Sequence, residues 1–239
     1  MNLLVDFCAM RDETALNRGA ADVAILFGGS ILAGGDVFAR ALENGVAQRA
    51  MIVGGQGHST DALRAAMRQS MGWGDVDVTE AALFQRYLRE RHGLNVDLLG
   101  TESTNCGSNV REALDLLDAR GVPHERILIV QDASMQRRMD AGFRLLAPLK
   151  TVVNYAAHRT YVDDALNYLD APAGMWAPER YLSLLMGEIP RLADGPDGYG
   201  PSGRGFIAHV DIPDDVWRAY SALRTAGAGV ARAADPRWA

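Results

Sequence analysis

The residues that could do chemistry cluster just behind short apolar runs. Val23-Ala24-Ile25-Leu26-Phe27 leads into Gly28-Gly29-Ser30, and Met51-Ile52-Val53 leads into Gly54-Gly55-Gln56-Gly57-His58-Ser59-Thr60. Glycine lets a backbone turn sharply and lets another molecule come close to main-chain N–H groups. Ser59 and Thr60 are good caps for a helix opening at Asp61. Its unpaired N–H groups and positive dipole end suit an anionic or nucleotide-like ligand. One such turn is ordinary punctuation between strand and helix; two in succession point to a site.

The same position recurs after two later runs. Ser103-Thr104-Asn105 follows one, and Gln131-Asp132 follows Ile127-Leu128-Ile129-Val130, with Gln136, Arg137 and Arg138 one turn on. Arginine near a helix N-terminus is opposed by the dipole. Arg137 therefore meets either an anionic ligand or an internal carboxylate such as Asp132. Two residues are candidate catalytic groups. His58 is a general base if a proton lies within reach, and Glu80 is either a base or a charge favouring its helix start. Cys106 sits near a helix N-terminus, where a lowered thiol pKa is expected, but has no adjacent base. Cys8 and Cys106 have no CxxC spacing, so neither a disulfide framework nor a metal site is expected. No Ser-His-Asp order, HExxH or GxxxxGK[ST] pattern is present.

These positions must be held by regular elements. Apolar spacing predicts a helix in residues 1–20 with Leu3, Leu4, Phe7 and Met10 on one face, then strands at about 22–28, 50–54, 95–99, 127–130 and 151–155. Helices are expected at about 35–45, 60–71, 80–90, 106–120 and 134–146. The alternation predicts a Rossmann-like α/β fold, a doubly wound sheet of about five parallel strands over 1–156 including the first helix. A smaller, mainly helical part over 157–239 follows, with helices at 178–188 and 213–226, a short strand at 206–212 and a frayed tail from Gly227. The loop 194–205 is too rich in Gly and Pro for regular structure, yet carries Tyr199 and Arg204. It is expected either to close over the strand ends or to serve as a packed connector.

Bulk properties narrow the partners. The chain has 239 residues, 48% hydrophobic and 23% charged, with net charge -6. Nothing there favours nucleic acid or an anionic membrane, so the expected partner is a small molecule. No window approaches a membrane-spanning length, and the start MNLLVDFCAMRDE does not read as a signal peptide. A cytoplasmic location is the expectation; the oligomeric state is open.

Several motifs occur together and in order: Gly54-Gly55-Gln56-Gly57-His58-Ser59-Thr60, Ser103-Thr104-Asn105-Cys106-Gly107, Val130-Gln131-Asp132 with Met135-Gln136-Arg137-Arg138, Pro178-Glu179-Arg180-Tyr181-Leu182, and Asp197-Gly198-Tyr199-Gly200-Pro201 with Gly203-Arg204. The set resembles the YdcF-like proteins, a bacterial branch of a broad family known only as a domain of unknown function. The resemblance spans about 20–220. It implies a Rossmann-like domain and binding of S-adenosyl-L-methionine, with no established methyl transfer. It also raises the weight of Glu80, which matches a frequent family glutamate. The sequence departs from the family at Gly100, where an acidic residue is usual, and at Ser108-Asn109, where Glu-Asn is usual.

The expectation is thus a strand-end site for an adenosyl nucleotide. Gly28, Gly29, Ser30 and Gly54 through His58 approach it, and Ser103, Thr104, Asn105, Gln131, Asp132 and Gln136 hydrogen-bond it. Arg137 meets a carboxylate or phosphate, with Tyr199 and Arg204 on the covering loop. The alternative is an enzyme acting on phosphate- or pyrophosphate-linked sugars or nucleotides of the cell envelope, with Glu80 or His58 as base. A third reading makes the Gly turns packing alone.

Overall fold

The computed structural model describes residues 1–228. Five strands form one all-parallel sheet: β1 (Val23–Phe27), β2 (Arg49–Val53), β3 (Leu98–Gly100), β4 (Arg126–Gln131) and β5 (Thr151–Ala156). Their order is β3-β2-β1-β4-β5. The chain builds outward from β1 to β3, then returns to the other side of β1. The topological switch point therefore lies between β1 and β4, where open α/β sheets take their ligands.

Burial on both faces explains the continuous apolar strands. Ala24, Leu26, Ile52 and Val130 pack against α2 (Ala33–Glu43), α3 (Thr60–Met71) and α4 (Glu80–His92). Val23, Ile25, Phe27, Met51 and Ile129 pack against α5 (Cys106–Ala119) and α6 (Gln136–Leu146). The alternation follows from the period of two along a strand.

A third cluster lies beside the sheet. It joins α1 (Asn2–Cys8), α7 (Pro178–Leu192) and α8 (Asp214–Thr225) through Leu4, Val5, Tyr181, Leu185, Ile189, Val216 and Tyr220. The first helix thus packs with the last two, although it precedes the sheet in sequence.

Four local expectations change. The first helix ends at Cys8; Met10, Arg11 and Asp12 instead run beside β5, with Ala156 N–H donating to Met10 O at 2.8 Å and Asp12 N–H to Asn154 O at 2.9 Å. An edge strand offers unpaired backbone groups, and this segment satisfies them. The third strand is three residues, displaced to Leu98–Gly100. The strand expected at 206–212 does not form, because Ala208 N–H bonds to Ala141 O on α6 rather than to a strand. α7 runs one turn past 188 to Leu192, across Pro190. The tail expected to fray from Gly227 lies, from residue 229 on, outside the described residues. Among the described residues, no helix is long and apolar enough to cross a membrane.

Candidate functional site

Two carboxyl groups converge on the Gly28-Gly29 turn that ends β1. A Cβ on Gly28 would lie 2.1 Å from Glu80 Oε2, and one on Gly29 would lie 2.6 Å from Asp132 Oδ2. Glycine is required here because acids from two other elements occupy the space of a side chain. Asp132 arrives from the end of β4 and accepts the Ser30 N–H at 3.2 Å, across the switch point. Glu80 arrives from the first turn of α4. That turn is fixed onto the end of β2, since Glu80 N–H donates to Gly55 O at 3.0 Å and Ala81 N–H to Gly54 O at 2.8 Å. Thr79 caps the helix.

Both acids are buried, each 5% exposed, and neither makes an ion pair among the described residues. Glu80 Oε1 accepts from Ser59 Oγ and Thr60 Oγ1, both at 2.8 Å. Burial pushes its pKa up to about 7, while the two hydroxyls and the charge of Arg64 pull it down. Burial likewise raises Asp132 to about 7; the Ser30 bond opposes this and the negative charge of Glu80 adds to it. A pair of carboxyls poised near neutrality can hold or release a proton at working pH. Ser103 Oγ, buried on the loop after β3, has no hydrogen-bond partner among the described residues. A buried polar atom left unpaired is costly and marks a place for a ligand group or water.

Several expected contacts are engaged elsewhere. Gly54 N–H bonds to Gly100 O at 2.9 Å and Gly55 N–H to Ser103 O at 3.1 Å, so neither is offered to a ligand. A Cβ at Gly55 would stand 2.3 Å from Ser103 O, so this glycine serves loop packing. Gln136 is fully buried: its Oε1 accepts from Gln131 N–H at 3.0 Å, and its Nε2 donates to Ile129 O at 3.2 Å and Asn154 Oδ1 at 3.0 Å. It locks β4 to β5 instead of facing a ligand. Gln131 Nε2 donates to Gly28 O at 3.1 Å and fixes the turn from behind.

Arg137 does not pair with Asp132. Its Nε donates to the Phe7 carbonyl and its guanidinium lies 4.1 Å from the Phe7 ring centroid, tying α6 to α1. The internal ion pair belongs to Arg138, which bonds both oxygens of Glu188 on α7 at 2.7 and 3.1 Å. Asn105 caps α5, with Oδ1 accepting Ser108 N–H at 3.0 Å while Ser108 Oγ accepts from Asn105 N–H at 3.0 Å. Ser108 is thus the reciprocal member of a capping box. Thr104, Gln56 and His58 are exposed on their turns. The Cys106 thiol is raised, not lowered, because it is buried in the core beside Met139.

Tyr199 and Arg204 belong to a folded connector. Tyr199 N–H donates to Arg191 O at 2.9 Å, its ring meets Phe206 edge-on at 5.4 Å, and Arg204 lies 5.8 Å from that ring's centroid. These contacts hold the loop on the C-terminal end of α7.

The sequence reading missed three residues near the strand ends. Trp176 Nε1 donates to Ser30 Oγ at 3.0 Å. His158 stacks at 6.0 Å from Trp176 and 5.7 Å from Tyr181. His158 Nε2 and the Tyr181 hydroxyl are buried without hydrogen-bond partners among the described residues. Tyr181 stands in one of the motifs quoted above; Trp176 and His158 sit in an irregular stretch with no local signal. No protein-family model matches the chain.

Proposed function

We propose that the protein binds an adenosyl-type small molecule, S-adenosyl-L-methionine foremost, at the switch point between β1 and β4. One observation carries this: Glu80 and Asp132 flank Gly28-Gly29 as buried carboxyls with no ion pair. Such a site favours hydroxyls, ammonium or a sulfonium and repels phosphate. The two arginines that could have neutralised a phosphate there are engaged by Phe7 and Glu188. That counts against the reading of a phosphate-linked sugar or nucleotide as ligand at the strand ends. Asp132 would accept from ribose hydroxyls or an ammonium, and Ser103 Oγ would gain the partner it lacks. The acid pair is also suited to proton transfer.

Calorimetric titration tests the reading. S-adenosyl-L-methionine should bind more tightly than S-adenosyl-L-homocysteine, and the preference should grow as pH rises through about 7 and the carboxyls ionise. Asp132→Asn should weaken binding by about 1.5–3 kcal/mol, the scale of hydrogen bonds to charged groups. Tighter binding of ATP or a nucleotide-sugar than of the sulfonium would defeat it.

A further inference from the structure

A cleft of about 290 Å³ opens between α2 and the loop after β5. Arg11, Arg40 and Arg159 line it together with His158 and Thr160; Asp36 and Asp170 are its acids. This lies just under the range for ligand pockets, which starts at about 300 Å³, and suits a small group.

Two of the guanidinium groups are aligned by their Nε–H alone. Arg11 Nε donates to Ala156 O at 2.8 Å, with the guanidinium 4.5 Å from the Tyr155 ring centroid, and Arg159 Nε donates to Ala9 O at 2.7 Å. Their terminal amino groups take no hydrogen bond or ion pair among the described residues, and Arg40 makes neither. Asp36 is already engaged by Tyr87 at 2.8 Å, His92 at 2.9 Å and Arg91 at 3.3 Å. Asp170 is exposed and makes no ion pair among the described residues. The cations lie close enough to act on one another: burial first, then the charges of Arg159 and Arg40, lower the Arg11 pKa.

His158 lines the cleft as a neutral ring. It is 4% exposed, its Nδ1 lies 3.2 Å from Thr160 Oγ1, and its Nε2 is buried without a hydrogen-bond partner among the described residues. Burial and the charge of Arg11 push its pKa down to about 4, so the ring is uncharged at neutral pH. When the Thr160 hydroxyl donates to Nδ1, the proton resides on Nε2.

We propose that this cleft binds an oxyanion group, a phosphate or carboxylate carried by a small molecule, gripped by the forks of Arg11 and Arg159 and the charge of Arg40. Planar guanidinium forks match such groups bidentately. The cleft adjoins the acid-pair site through His158, which packs on Trp176, the hydrogen-bond partner of Ser30; its test uses no adenosyl ligand.

The experiment is calorimetry on the full chain with inorganic phosphate and, separately, malonate, at ionic strength held constant with sodium chloride. At least one probe should bind saturably at about millimolar affinity. Preference between the two assigns the group as phosphate or carboxylate. Arg40→Ala should weaken that probe by about tenfold or more with Tm unchanged, since the side chain makes no intramolecular bond. No saturation by either probe up to about 20 mM, or undiminished binding by Arg40→Ala, overturns the proposal.

Discussion

The Ser30 N–H donates to Asp132 Oδ2 at 3.2 Å, joining the end of β1 to the end of β4 across 102 residues of sequence. The bond spans the one place where strand order reverses. It holds one carboxyl against Gly29, while Glu80, from a helix of the opposite sheet half, is held against Gly28. The acid pair is therefore a product of the sheet's winding order, and its ionisation should be felt by the whole fold.

Stability should fall as pH rises from about 4 to about 7. Asp132 goes from its ordinary 3.8 to about 7, and Glu80 from 4.5 to about 7. Over that window the folded state keeps protons that the unfolded chain has released, so rising pH favours unfolding. The contribution is fully present below the unfolded pKa and is lost as pH passes through the folded one. The slope is at most about 1.4 kcal/mol per pH unit per group. Asp132→Asn should remove its share. The check is Tm against pH for both proteins; a difference between them that stays flat from pH 4 to 7 contradicts the burial of an ionisable Asp132.

The neighbouring arginines should separate cleanly. Arg138 and Glu188 are 15% and 5% exposed at their side chains. Glu188→Ala strands a buried guanidinium and should cost about 3–5 kcal/mol, read as a fall in the denaturation midpoint. Arg137→Ala loses a bond to the Phe7 carbonyl and a cation–π contact, and should cost about 1–2 kcal/mol. Affinity for S-adenosyl-L-methionine should be unchanged in Arg137→Ala, because this side chain faces α1. A large loss of affinity there would return Arg137 to the site.

Gly55→Ala should destabilise the protein through backbone crowding. The added Cβ would stand 2.3 Å from Ser103 O and 2.7 Å from Thr101 O, neither of which is the yielding end of a side chain. Overpacking of this kind costs about 1–3 kcal/mol. Gly74→Ala is the control, since a Cβ there meets nothing within 4 Å and surface changes of this sort stay within about 0.5 kcal/mol. Equal midpoints in urea for the two variants would show that the β3–α5 loop yields to the methyl group.

The sequence by itself determined four of the five strands, most helix limits and the strand-end level of the candidate site. Strand runs such as Ile127-Leu128-Ile129-Val130 and helix starts such as Glu80 and Cys106 are local signals, set by side-chain period and by backbone groups a few residues away. It also marked Glu80, Asp132 and Ser103, because polar residues directly after buried strands or at helix starts stand out. Only the tertiary structure decided what each does. Gln136, Arg137 and Arg138 lie in one helical turn, yet the first bonds β4 and β5, the second α1 and the third α7. Their directions depend on which element stands opposite, and sequence spacing does not encode that. Gly55 and Gly29 read alike in sequence, but one yields to a neighbouring loop and the other to a carboxyl from a distant strand. The same reason hid Trp176 and the arginine cleft: Arg11, Arg40 and Arg159 meet only because an extended N-terminal segment covers the edge of β5.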